Sequence, residues 1–276
     1  YPMSNRLRFF KDKSFLMDGN IDIGSFAFSG KNMRFDYDNF AFYFSDNSVL
    51  SFLNNSQNQI SSSLIHFDNA ILYVDTTHNK SGKKQLNDFP KFKIQESSFL
   101  SYDNNPVVFL IDPFELTYLH DMSLANMLFS GSLYLDGEKS DIASVLSFNS
   151  TNNLQTLMQS DSLDLYKGNV NLKGDLFLSE KGLFADGIFS SKYLNFISNK
   201  IELLSGEIRG KVNYVSNGDV LATTPFLSKK PALINFHPYD NEFLIKTRDS
   251  KLLIYDNFGF LCSIILSISS TITSSS

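Results

Sequence analysis

Apolar and polar residues alternate one for one along segment after segment of this chain, and that constrains its fold more than any other feature. In 170–178, Val170, Leu172, Gly174, Leu176 and Leu178 fall on one side, and Asn171, Lys173, Asp175 and Phe177 on the other. In 207–215, Ile208, Gly210, Val212 and Tyr214 oppose Glu207, Arg209, Lys211 and Asn213. A period of two sends successive side chains to opposite faces of an extended backbone, so these segments read as strands with one buried and one wet face. Ile21 and Ile23, then Met33, Phe35 and Tyr37, then Phe40, Phe42 and Phe44 follow the same rule, the last two sets parted by the turn pair Asp38-Asn39. Further strands are predicted over 64–68, 70–75, 92–95, 107–111, 131–135, 194–197, 201–204, 243–246 and 251–255.

Composition agrees. The chain holds 27 Phe and 12 Tyr but no Trp. Abundant Ser and Asn with scarce Ala disfavour helix and favour strands joined by polar turns. Helical periodicity is best in 117–128 and 153–159, and the first also fits a loop plus a short strand. A weak echo links Gly19-Asn20-Ile21-Asp22-Ile23, with Phe26, Phe28 and Gly30 behind it, to Gly174-Asp175-Leu176-Phe177-Leu178, with Leu183, Ala185 and Gly187 behind it. Gly131-Ser132-Leu133-Tyr134-Leu135 starts a third copy. The expectation is an all-β chain: an elongated solenoid-like or rolled open sheet of repeated strand-turn-strand units, with a β-sandwich as the alternative.

The 276 residues suffice for one large domain or two small ones. Segments 54–59 and 75–88 read as loops, and no linker forces a boundary. Residues 1–260 therefore read as a single β-rich region and 261–276 as a low-complexity tail. The chain opens on Tyr1 rather than Met, which reads as a piece of a larger protein. Open sheet ends and the uncharged run Phe258–Leu266 predict self-association.

Net charge of −5 and a pI near 5.4 argue against a nucleic-acid binder. The arginines Arg6, Arg8, Arg34, Arg209 and Arg248 are too dispersed to cluster by sequence proximity. Cys262 is the single cysteine, so no intrachain disulfide forms. No apolar run reaches the length of a transmembrane helix.

Motifs that could carry chemistry each have a plainer reading. Asp18–Gly24 resembles the start of a calcium loop, but Ile23 stands where the sharp turn needs Gly and Ser29 where a carboxylate is required. Gly24 to Gly30-Lys31-Asn32 misses the P-loop spacing and its terminal hydroxyl. His66, His78, His120 and His237 lie at no metal-ligand spacing. Asp112 and Glu115 flank Pro113-Phe114 and could act as an acid–base pair, yet read better as a turn. Asn54, Asn79 and Asn149 head glycosylation sequons. No catalytic, cofactor-binding or metal site is expected, and the chain reads as non-enzymatic.

Four pieces stand out in order along the chain: Phe109–Phe114 with Leu119, Asp121 and Leu124; Leu128–Leu133; Gly174–Ser179 with Gly182-Leu183 and Gly187; and Phe236–Asp240 with Phe243–Ile245. They resemble large, uncharacterised β-rich proteins of Bacteroidetes. Together they cover about Phe92 to Phe260. Where that family continues into another Gly-x-Leu-x-Leu unit, this chain runs into Cys262–Ser276, which suggests truncation or a shifted frame near Leu261. The resemblance implies a long, repeat-containing extracytoplasmic β protein and carries no activity, cofactor or catalytic residue. The function expected is a structural or assembly component of the bacterial cell envelope or surface, whose partners are the rest of its own chain or other envelope proteins. A lipid-carrying β-groove is the first alternative and a polysaccharide-binding or polysaccharide-active solenoid the second.

Overall fold

The structure is a computed structural model and describes residues 2–45, 47–54, 59–84, 86–102, 105–192, 194–218, 227–228, 231–240, 242–247, 252–255 and 261–264. It is all-β, with 66% of the described residues in the strands of a large, open antiparallel sheet not closed into a barrel. The alternation therefore reads correctly as an all-β open sheet. Of the two segments with helical periodicity, 117–128 holds a single 3-10 turn, Leu124–Asn126. The other, 153–159, is strand instead. Its Thr156, Leu157 and Met158 pair with Leu178, Phe177 and Leu176, so cross-strand pairing overrides a fortuitous helical spacing.

The chain forms two compact units, Tyr1–Ser132 with Ala143–Gln155, and Leu133–Ile142 with Thr156–Ser276. The first is an antiparallel meander. Strands β1 (Pro2–Phe9), β2 (Phe15–Ile23) and β3 (Phe26–Asp36) pair in sequence. The next four passes are each interrupted once. They are β4 (Ala41–Tyr43) with β5 (Ser48–Asn54), β6 (Gln59–Phe67) with β7 (Ala70–Tyr73), β8 (Lys91–Ile94) with β9 (Ser98–Tyr102), and β10 (Asn105–Ile111) with β11 (Glu115–Leu116). Each pass pairs with the next on both sides of its interruption. β10 also pairs with β12 (Leu128–Leu135). β13 (Glu138–Phe148) and β14 (Leu154–Leu165) then pair through Ser147–Gln155 and Phe148–Leu154.

The interruptions lie side by side and crease the sheet. Asn32, Asn47 and Asn69, on three successive passes, have φ of 51°, 59° and 53°. Asparagine tolerates this left-handed region better than most residues. Asp18 Oδ1 accepts the Asn32 backbone N–H at 2.6 Å, and Asp68 Oδ1 accepts that of Asn47 at 2.8 Å. At Asn32 the strand bulges by one residue, leaving Lys31 and Asn32 consecutively exposed while Phe28 and Met33 share the buried face. The strand read over Phe40–Phe44 shortens to β4, because Phe40 itself adopts a left-handed φ of 50°.

The Phe-rich face packs dry. The rings of Phe28 on β3 and Phe92 on β8 are 4.7 Å apart although three strand steps separate them, about 14 Å on a flat sheet. Phe52 on β5 and Phe129 on β12 are 6.4 Å apart across four steps. The sheet of this unit is thus rolled until its apolar face meets itself, burying Phe26, Phe28, Phe44, Phe52, Phe67, Phe92, Phe109 and Phe129.

The second unit continues the meander: β15 (Val170–Ser179), β16 (Gly182–Ser191), β17 (Leu194–Leu204), β18 (Glu207–Val212), β19 (Tyr214–Asn217), β20 (Leu227–Ser228), β21 (Ala232–His237) and β22 (Glu242–Thr247). β14 to β17 pair in order, β17 pairs with β18 and β19, β18 with β21, β19 with β20, and β21 with β22. β23 (Leu252–Tyr255) and β24 (Leu261–Ile264) form a separate two-stranded sheet, so the first residues of the segment read as a tail are strand; 265–276 lie outside the described residues.

The echo in sequence coincides with a shared hairpin feature, because Gly19 lies opposite Gly30 and Gly174 opposite Gly187. At the second pair both glycines have positive φ, 152° and 150°, and a Cβ on either would strike the backbone of the facing strand.

Candidate functional site

Most residues singled out by the sequence have structural work. Asp18 caps the Asn32 bulge described above. Glu115 forms an ion pair with Lys91 at 2.6 Å, and Asp112 lies in the crease, its N–H bonded to the Ser130 carbonyl. His66 stacks on Phe99 at 4.8 Å, with Nε2 2.8 Å from Ser101 Oγ, and burial holds its pKa below the ordinary histidine value. His78 and His120 are exposed, and Gly24 makes the β2–β3 turn against the Leu119 and His120 carbonyls. Cys262 lies on β24. Among the described residues no group of His, Cys, Asp and Glu could hold a metal ion, and no helix is long and apolar enough to cross a membrane.

The sequon residue Asn79 is buried at the centre of the 75–84 loop. Its Nδ2 donates to Asp75 Oδ2 at 2.8 Å and to the Lys84 carbonyl at 2.6 Å, while its Oδ1 accepts the Lys84 N–H at 3.1 Å. It staples the loop rather than presenting an amide to solvent. Asn79→Ala is expected to cost about 1–2 kcal/mol and to open 75–84 to limited proteolysis. A cleavage pattern unchanged from the parent would contradict this.

In the second unit, Asp136, Tyr166 and Tyr239 form a polar clasp. The Asp136 carboxylate accepts from Gly206 N at 3.0 Å and Tyr239 Oη at 3.1 Å. The Tyr166 hydroxyl lies 3.0 Å from the carbonyls of both Leu204 and Glu207. Burial, with Asp136 nearby, pushes the Tyr166 pKa well above the ordinary tyrosine value, so it acts as a neutral donor. These groups sit at turns far apart in sequence and tie those turns to one another.

A trough on the solvent face of the same sheet gathers more varied chemistry. Register places one side chain from each of seven strands on a single line: Leu157, Phe177, Phe184, Glu202, Arg209, Asn235 and Leu244. Two residues along each strand, and hence on the same face, come Lys200, Lys211, Leu233 and Lys246. The trough has a volume of about 540 Å³. Arg209 Nε is bonded to Glu202 Oε2 at 2.8 Å, and Lys200 Nζ stands 4.6 Å from the centre of the Phe184 ring. At its floor Asn235 Oδ1 is buried with no hydrogen-bond partner among the described residues. Sequence proximity gave no sign of this gathering, since the lining residues come from five hairpin arms of unequal length.

No family model matches the chain, and no curated protein or solved structure does.

Proposed function

We propose that the chain is a non-enzymatic structural or assembly component of a bacterial cell envelope or surface, lying outside the cytoplasm and joined through its sheet edge to further β structure. The observation that carries this reading is β1. Among the described residues it pairs with β2 alone, while Leu7 is 43% and Phe9 69% exposed. From Phe9 a ladder of facing residues runs inward through Phe15, Phe35 and Phe42 to buried Leu72 and Phe92. An edge with unpaired backbone groups and apolar side chains at its rim accepts a further strand, from the same longer chain or from another envelope protein. The matched glycine pairs at Gly19–Gly30 and Gly174–Gly187 support a repeat-built protein of the kind the Bacteroidetes resemblance implies. A lipid-carrying groove is the weaker reading, because the Phe face that would line it is packed against itself.

The full chain is expected to self-associate at micromolar concentration, and the double variant Leu7→Lys, Phe9→Lys to sediment as a monomer, since charge on an edge strand opposes pairing. A parent chain that stays monomeric, or a variant that associates equally, sinks the edge-assembly reading.

A further inference from the structure

We propose that the trough on the solvent face of the second unit binds an acidic polysaccharide, with the glycan running across strands β16, β17, β18, β21 and β22. This goes beyond the assembly reading and does not depend on it, since the trough and the β1 edge belong to different units.

Charge comes first. Among the described residues Lys200 and Lys246, which line the trough, and Lys211 beside it have no carboxylate partner, whereas Arg209 is neutralised by Glu202. The three free cations span β17 to β22, three strand steps or about 14 Å, perpendicular to the strands. A protein of net charge −5 thus concentrates uncompensated positive charge along one line. That line matches an extended chain carrying anionic groups at intervals. Lys200 is held in place over the Phe184 ring, which orients its ammonium group without neutralising it.

The remaining lining then selects among polyanions. Leu233, 57% exposed, Leu244 and Phe184 offer apolar surface to the CH faces of sugar rings. Buried Asn235 Oδ1 lacks a donor, and a sugar hydroxyl supplies one. A lipid surface brings hydrocarbon to that acceptor and leaves it unsatisfied. Asp175 and Asp186, which face each other on β15 and β16 just along the same face, repel the unbroken phosphate run of a nucleic acid. The same carboxylates accept hydrogen bonds from the hydroxyls of a glycan whose charges are spaced by neutral groups.

The test is calorimetric titration of the full chain with a hyaluronan oligosaccharide, whose carboxylates alternate with neutral sugars, with its methyl-esterified neutral form, and with vesicles containing anionic phospholipid. The hyaluronan oligosaccharide is expected to bind, and esterification or the double variant Lys211→Gln, Lys246→Gln to weaken it about tenfold or more, each lost charge-assisted contact contributing a few-fold. Asn235→Leu is expected to weaken both glycans alike, and raised salt to weaken the acidic one alone. The lysines are exposed, so the glutamine variant keeps its strand circular dichroism and reports on binding only. Failure of the hyaluronan oligosaccharide to bind at millimolar concentration, equal binding of the ester, indifference to the lysine substitutions, or binding to vesicles without binding to glycan each overturns the proposal.

Discussion

Replacing Phe92 with alanine is expected to cost about 3–5 kcal/mol, a large part of the stability of a domain this size. Phe92 is fully buried, and its ring lies within 4.7–6.3 Å of Phe28, Phe44, Phe67 and Phe114. Those partners come from separate passes, so the ring stands where the rolled sheet closes on itself. Alanine would leave a cavity that five surrounding strands cannot collapse into without unrolling. Phe92→Leu keeps most of the volume and should cost less than half as much. Denaturant unfolding followed by circular dichroism and tyrosine emission measures both. A loss below about 1 kcal/mol for the alanine variant would mean that the Phe face is not a packed core.

Gly187→Ala should be comparably severe for a different reason. A Cβ there would stand 2.3 Å from the Lys173 carbonyl oxygen and 2.9 Å from Gly174 Cα. Backbone rather than a yielding side chain blocks it, and the φ of 150° adds strain, for an expected loss of about 2–4 kcal/mol. Gly182→Ala is the control. Its φ of 123° is also unfavourable, but the nearest atom to its Cβ is 3.6 Å away, so the loss should stay near 1 kcal/mol. Equal losses at the two sites would show that dihedral strain, and not the close approach of β15 and β16, dictates glycine at Gly187.

Alternation revealed the strands because it is a local property. β15 follows the face read from Val170–Leu178, and the 75–88 loop lies where its composition put it. The face read over 207–215 holds through Val212 and then shifts, because the strand breaks at Asn213 and β19 buries Val215 rather than Tyr214. The crease was less legible. Asn32 follows Gly30-Lys31, and Asn47 and Asn69 each follow an aspartate, so each alone looks like an ordinary turn residue. Only their alignment across passes, with Asp18 and Asp68 bonding two of them, makes a fold line. The roll was not legible either, because a pattern of period two says which face is apolar and nothing about what that face meets. The trough depends on register. Lys200, Lys211 and Lys246 share a line through bulges and turn lengths that set each strand's offset, and a search by sequence proximity passes over them.

The meander has a consequence for how such a chain can change in length. Within each unit nearly every pass bonds to the passes before and after it in sequence, with few long excursions. Adding or deleting one whole hairpin at an edge therefore leaves every other pairing intact, and no strand has to be threaded between two others. A fold built this way tolerates growth by duplication where a Greek key does not, because the new arm needs only a complementary edge and a few apolar residues of the right parity. Its limit is the roll. Once the apolar face of a unit has closed on itself, a further hairpin can lengthen the wall but has no core left to enter, so continued extension favours starting a second roll over enlarging the first.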